Sequence, residues 1–460
     1  MSFPPGKPLL LILLFTIAGG LCLLALGARG PQRPDQTIWV FDASHADTYL
    51  KPSGDQAPLV DLYSQQTHRS VQVQLQASRA LDARLLSLIL SGTQGPQVPD
   101  VVEIEIGSVG KYFRAQPAHN GLLPLDDFIA RDPLTRQLLP ARLATWTSGG
   151  QVFGIPRDVH PVSITYRKDL FDAAGVDLAA CQWWDQFQQA CLKYQQYWSS
   201  KGIERQAMQL ARWSAADLSI MLQQQHIELI DTQNQLHLTD PRVAFTIAFY
   251  ARLISGKNAI AADVANSGTL YVQDLADGHS GALFTPDWRI AYLRYQPSLA
   301  GKLAMMPLPR FSADDAPTAS WGGTMIAIPR NCRDPQQAWE LLRFLQLSPQ
   351  AMQARRSHST ILPAITSEWD NPRWQQPDPL YGNQAISTLY ISLARQLPPQ
   401  HPNPYSLLVS QAIAGVLSSA QGQVPTLSDA HLIDFCSQQL QQTQTQLKQL
   451  LDFAQQQETR

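Results

Sequence analysis

An excess of charge of either sign is missing from this chain. Its 35 Lys and Arg stand against 37 Asp and Glu, a formal net of −2 over 460 residues, and that field is too weak to recruit nucleic acid or anionic lipid. Cysteine is scarce too: there are five, with no CxxC and no His nearby at ligand spacing, so nothing argues for zinc. Cys181 and Cys191 would lie about 15 Å apart on one helix rising about 1.5 Å per residue, which forbids a bridge between them. Long-range disulfides through Cys332 and Cys436 stay open, against the plainer alternative of buried free thiols. The chain also lacks a G-x-S-x-G elbow, an H-E-x-x-H pair, a Walker loop and a GxGxxG turn. The usual anchors for a nucleophile, a catalytic metal or a bound nucleotide are therefore absent, and no cofactor or metal is expected.

What is present describes an ordinary globular protein, 44% hydrophobic and 16% charged. Such a length exceeds a typical single core and predicts two lobes. Pro (33) and Trp (11) are the unusual counts; so many indoles suit a protein that presents flat apolar faces to something, although core Trp is the commoner role for any one of them. The one long hydrophobic run is N-terminal. Lys7 precedes Leu9 to Leu26, and Arg29 and Arg33 follow, as in a signal peptide cleaved after Gly27 or an uncleaved anchor. Cys22 sits where a lipidated cysteine would, but Leu21 stands where a lipobox wants a small residue. Residues 1–30 are read as this targeting or anchoring segment, with the folded part exported.

Period-two and period-3.6 patterns then alternate. QTIWVF at Gln36 to Phe41 predicts a strand leading into a polar loop with Asp42, Ser44, His45 and Asp47. Pro58 to Thr67 has helical spacing, Ser70 to Leu75 alternates, and Leu81 to Leu90 is helical again, so a doubly wound sheet is expected. PDVVEIEI at Pro99 to Ile106 places Glu103 and Glu105 on one face, and two such carboxylates are not expected deep in a core. Gln151 to Gly175, QVFGIPRDVHPVSITYRKDLFDAAG, packs a turn, a strand and a helix stopped by Gly175 into one span. Gln206 to Leu210 reads as a short strand ending at Ala211, Arg212 and Trp213. The Gln-rich last helix, Ser428 to Ala454, keeps an apolar stripe through Leu432, Leu440, Leu447 and Leu451 and is read as docked.

That central span resembles the extracytoplasmic solute-binding proteins of ABC importers, in the branch that carries oligosaccharides and polyols. The family has a G-[IV]-P strand, a polar turn, a strand ending in Y-[NR]-K-D-L-F and a helix closing with A-G. Further pieces follow in the family's order: PDVV, then GLLPLDDFI at Gly121 to Ile129, DGHSGALFTPDW at Asp277 to Trp288, MMPLP at Met305 to Pro309 and SWGGTMIAIPR at Ser320 to Arg330. A helix opened by Asp334 and Pro335 completes them. The resemblance covers most of Trp39 to Pro363 and thins beyond it. It implies an α/β type II periplasmic-binding fold with a hinge and an interlobe cleft. Lobe one would take residues 36–156 and 302–347, and lobe two 157–301 and 348–460. It also implies a binding role and not an enzyme: a monomeric receptor on the periplasmic or extracytoplasmic side that closes on a sugar and hands it to permease subunits.

Candidate ligand contacts come from loops at strand ends, where open α/β sheets meet their ligands. They are Ser44, His45 and Asp47; Glu103, Glu105 and Ser108, carried over from the resemblance by position; Asp158 and His160; Asp287 and Trp288; and Trp213, Trp321 and Gly322. Trp213, Trp288 and Trp321 are the expected stacking platforms, while His45, His160 and His279, placed near the cleft or strand ends by the resemblance, are more readily read as surface loop histidines. Arg157 and Arg289 would suit an acidic ligand. Two alternatives stay open: a glycosidase pairing Glu103 or Glu105 with Asp158 or Asp287, and a membrane-tethered sensor that keeps the fold but not transport.

Overall fold

The computed structural model describes residues 34–113, 120–264 and 268–458, with Thr16 alone from the N-terminal segment. The targeting segment read at residues 1–30 otherwise lies outside the described residues. Among the described residues no helix is long and apolar enough to cross a membrane.

Two sheets organise the chain. The first contains β1 (Gln36–Val40), β2 (Val71–Leu75) and β3 (Val101–Glu105). A small hairpin, β4 (Thr147–Ser148) with β5 (Gln151–Val152), leads to β6 (Ile155–Pro156). The second sheet is built on β7 (Val162–Arg167). After the short parallel pair β8 (Met208–Gln209) and β9 (Ala261–Ala262) come β10 (Ala282–Pro286), β11 (Leu303–Met306) and β12 (Thr324–Ala327). The first sheet runs β2-β1-β3-β12-β6 and the second β10-β7-β11. Registers follow burial. β1 pairs in parallel with β2 (Ile38↔Val73) and with β3 (Ile38↔Val101), β12 joins antiparallel to β3 (Ala327↔Val102), and β6 forms the edge beyond it. β7, VSITYR, is buried at all six positions because it lies between two antiparallel partners.

Capping explains the helix boundaries. Asp334 accepts from the backbone N–H groups of Gln336 and Gln337 to open Pro335–Leu347, and Asp240 caps Pro241–Ile254 in the same way, each with Pro at the first helical turn. The last helix, Asp429–Glu458, packs against Pro241–Ile254 and Ser406–Gln423 through Leu432, Cys436, Leu440, Leu447 and Leu451. The four described cysteines are free thiols, Cys181 only partly buried.

The sheet pairing corrects two of the expected lobe boundaries. β11 hydrogen-bonds to β7 and so joins the second sheet, although its residues were expected with the first. The helix Pro349–His358 packs on Ala43–Leu50 and Pro335–Leu347, on the first sheet's side. The polar loop expected after β1 is itself helical, Ala43–Leu50, because the Asp42 side chain accepts from the Ser44 N–H and caps it.

Between the sheets the chain crosses through Pro156 to Pro161 and back through Thr318 to Thr324, joined by the bridge Pro161↔Ser320. A third crossing is tied by Asp158↔Pro363. Arg142, fully buried, donates to Ser320 Oγ at 2.8 Å and to the Asp158 carbonyl at 3.2 Å. Gly323 lies at φ 144° beside it, and a Cβ there would fall 1.8 Å from Arg142 Nη2. Gly323→Ala is therefore expected to cost about 3 kcal/mol or more. Gly415→Ala, at an exposed helical position with open space around the added methyl, should gain about 0.4–1 kcal/mol. Urea unfolding midpoints check both; equal midpoints for the two variants would refute this account of the crossing.

Candidate functional site

The expected contacts separate into three groups. The first is a buried charge cluster on the crossings. His160 Nε2 lies 3.1 Å from Asp158 Oδ2, and Nδ1 lies 2.6 Å from Asp287 Oδ1. Asp158 Oδ1 accepts from the Thr324 N–H at 3.1 Å and faces Arg142 Nη2 at 3.6 Å; Asp287 Oδ2 accepts from the Leu362 N–H at 2.9 Å. One imidazole thus ties the outgoing crossing, the end of β10 and, through Asp287, the third crossing. It does so from φ 56°, a left-handed conformation that costs a non-glycine residue about 1–2 kcal/mol. Burial alone would lower the His160 pKa, but the carboxylates of Asp158 and Asp287 reverse this and raise it to about 9. Burial likewise opposes ionisation of Asp158, and His160 and Arg142 hold it well below the usual carboxylate range.

A second knot lies beside it. Glu103 is fully buried, which corrects the expectation that it stays out of the core: both faces of β3 are covered, and Ala43–Leu50 brings compensating groups to it. His45 Nδ1 lies 2.9 Å from Oε2, Tyr49 donates to Oε1 at 3.4 Å and Arg157 Nη1 stands 3.8 Å away. Arg157 also donates to the Tyr49 hydroxyl at 2.6 Å, and Arg355 donates to the Arg157 carbonyl and to Gln346. Neither His45 nor His160 is a surface histidine, unlike His279, whose side chain is 72% exposed.

The third group is aromatic. Trp288 and Trp321 meet edge to face, centroids 6.1 Å apart at 79°, and the Trp288 indole N–H donates to the Trp321 carbonyl at 2.9 Å. Tyr292 extends the wall, 6.2 Å from Trp288, and is itself 6.4 Å from Tyr271. Gly322, at φ 99°, lets the chain pass, since a Cβ would lie 3.2 Å from Trp288 Nε1 and 3.5 Å from His160 Cδ2. Tyr292 was missed in the sequence; its helical offset of four from Trp288 was the available signal.

The remaining candidates lie apart. Ser44 donates to Asp42 Oδ1 as part of the cap, Asp47 pairs with Lys51 across one exposed helical turn, and Glu105 accepts from the exposed Ser78 hydroxyl. Ser108 is half-buried in Ile106–Tyr112. Trp213 is 75% exposed with its indole N–H on Asp263 at 3.2 Å, and has no ring contact with the Trp288–Trp321 pair among the described residues. Arg157 and Arg289 are buried against internal partners and do not offer charge to an acidic ligand.

A cavity of about 1560 Å³ opens between Ile106–Tyr112 on the first sheet's side and Ala216–Gln224 with the 226–242 and 399–413 segments on the second; Trp288, Trp321, Tyr292 and the buried charge cluster do not line it. Gly107 and Lys111 line one wall, and Ser219, Gln223, Asn403 and Leu407 the other. Gln223 Oε1 accepts from the Ser320 N–H at 3.1 Å, which brings the cavity to the residue next to Trp321. Glu103, Asp158 and Asp287 are all held by cations or N–H groups, and none is free to serve as acid or base. Among the described residues no cluster of metal-binding side chains occurs.

Residues 59–380, well over half of the chain, match the family described as bacterial extracellular solute-binding protein. The chain belongs to that family. It is an extracytoplasmic binding protein and not an enzyme. Among curated relatives it is 24% identical over 303 residues to an arabinooligosaccharide-binding protein of Halalkalibacterium halodurans, an alignment spanning 64% of this chain and 65% of the relative. It is 23% identical over 339 residues to an arabinooligosaccharide-binding protein of Bacillus subtilis, spanning 73% and 74%. The sugar-binding protein MalE from Xanthomonas citri superposes with a TM-score of 0.70 at 17% identity, covering 91% of this chain and 99% of that one. The GacH receptor of Streptomyces glaucescens gives 0.67 at 14%, covering 89% and 98%. These likenesses show the fold, a two-lobed α/β type II periplasmic-binding architecture.

The raised pKa of His160 fixes a pH dependence. The folded state holds this proton more tightly than the unfolded chain, so the stabilisation is full below about 6.5, the unfolded value, and drains as pH rises through about 9. Urea midpoints of the wild type should fall across that window. His160→Asn, which tolerates the left-handed backbone, should start lower at pH 6 and stay flatter to pH 9. Parallel slopes for the two proteins would contradict a protonated clamp.

Proposed function

We propose that this protein captures a neutral oligosaccharide outside the cytoplasm, shuts on it by hinge motion and delivers it as a monomer to the permease of an ABC importer. One observation carries the ligand class. The Trp288–Trp321 pair, extended by Tyr292, forms a partly exposed aromatic wall beside the crossings between the sheets, and edge-to-face indoles offer apolar faces to sugar C–H groups while polar neighbours take up hydroxyls. Support comes from the curated relatives named for arabinooligosaccharide binding, although the alignment reaches only 65% of the first one's length. Contacts that exist only in the closed form would drive closure, and the closed face is what permease subunits would read.

Calorimetric titration with arabinotriose, lactose and maltotetraose tests this. At least one should bind with a micromolar or lower Kd, and Trp288→Ala or Trp321→Ala should weaken it about tenfold or more, about 1.4 kcal/mol. Heat from a peptide or a polyamine, with none from any sugar, would sink the ligand class.

Tethering belongs to the same reading. The run Leu9 to Leu26 would hold the protein at the extracytoplasmic face if it is kept. Intact mass of the exported protein decides between the two: a retained segment means a tethered protein, and a chain starting near Ala28 a released receptor.

A further inference from the structure

We propose that Arg289 is a positioning residue: its guanidinium, buried behind the aromatic wall, sets the geometry in which Trp288 and Trp321 meet a ligand. This rests on the reading that the indole pair receives the sugar. Arg289 is 2% exposed, yet its charge lies over three rings, with Cζ 4.3 Å from the Trp321 centroid, 4.8 Å from Tyr271 and 5.3 Å from Trp288. Energetically significant cation–π contacts occur about once per 70–80 residues; three share this one cation. Nη1 donates to the Phe284 carbonyl at 2.8 Å, so the planar group is pinned to the backbone of β10 while the rings gather on it. The field of Asp217 favours its charged form against the burial that opposes it.

The cost of this arrangement is the argument for its role. Desolvating a guanidinium costs several kcal/mol, and apolar side chains of similar volume often stabilise better at such positions. A filler behind the wall would need no charge. A fixed planar cation supplies what a filler cannot, a directional attraction that orients several ring faces at once. The Trp288 N–H already bonds the Trp321 carbonyl, so a shift of either ring is passed to the other.

Arg289→Met, Arg289→Gln and Arg289→Lys test the proposal on the full folded chain. The readout is the indole couplet of the Trp288–Trp321 pair in near-ultraviolet circular dichroism, defined as the wild-type spectrum minus that of Trp321→Phe. Arg289→Met should lose most of the couplet while far-ultraviolet ellipticity is unchanged, and Arg289→Lys, which keeps the cation, should restore part of it. If the Met variant does not fold, Arg289→Gln decides, since it can still donate to Phe284 but carries no charge. An unaltered couplet in the folded uncharged variant overturns the proposal. For whichever of arabinotriose, lactose or maltotetraose the wild type binds, Kd should rise about tenfold in the uncharged variant and less in the Lys variant. Should the wild type bind none of them, the sugar reading falls, while the couplet of the ligand-free protein still judges Arg289.

Discussion

A single protonated imidazole holds the two halves of this molecule in register. His160 sits in a left-handed conformation, away from water, between two carboxylates that belong to different elements. Ionised groups are rarely buried without partners, and breaking one such pair strands a charge at a cost of several kcal/mol. The site can therefore exist only as a whole. Asp158 needs His160 and Arg142, Asp287 needs His160 and the Leu362 N–H, and Arg142 fills the space that Gly323 leaves. Because these residues lie on the segments that cross between sheets, this interdependence fixes where the halves can pivot. Apolar contacts tolerate sliding; a hydrogen-bonded charge cluster does not.

The same principle explains why the aromatic wall stands where it does. Trp321 and Gly322 follow Ser320, which Arg142 grips, and Trp288 follows Asp287, which His160 grips. The charge cluster thereby sets the backbone on both sides of the indole pair, and Gln223, a cavity residue, accepts from the Ser320 N–H next to it. Crossings and aromatic wall are successive layers of one construction, and Trp213, 75% exposed, lies outside it.

Much of this was legible in the sequence where periodicity sufficed. β1, β3, β7 and the helix Pro335–Leu347 appear where alternation, apolar spacing and the Asp334 cap predict them. Two indoles and the Asp158, His160 and Asp287 positions do come together. What failed did so for a common physical reason: a strand's period says which residues share a face, not what covers that face. Alternation keeps Glu103 out of a deep core because carboxylates avoid one, yet residues distant in sequence, His45, Tyr49 and Arg157, cancel its cost. The resemblance places β11 with the first sheet, and only the pairing with β7 reveals its side. A left-handed His160 carries no sequence mark, since the conformation is imposed by its two acceptors.

Charge balance carries the argument about the guest one step further. In the folded protein the three buried carboxylates, Glu103, Asp158 and Asp287, are met by Arg142, Arg157, Arg355 and a protonated His160, and Arg289 adds its own charge behind the indoles. Acids and bases there are consumed by one another, and the cations are at least as many as the carboxylates. The face of Trp321 turned to Arg289 is already taken by a guanidinium 4.3 Å from the ring centroid, whose charge the buried Asp217 favours. An anion would find no free base, because the nearby guanidinium groups donate to internal oxygens. What remains compatible with flat indole faces and a satisfied ionic interior is a neutral guest recognised by C–H contacts and hydroxyl hydrogen bonds, which is the chemistry of a sugar.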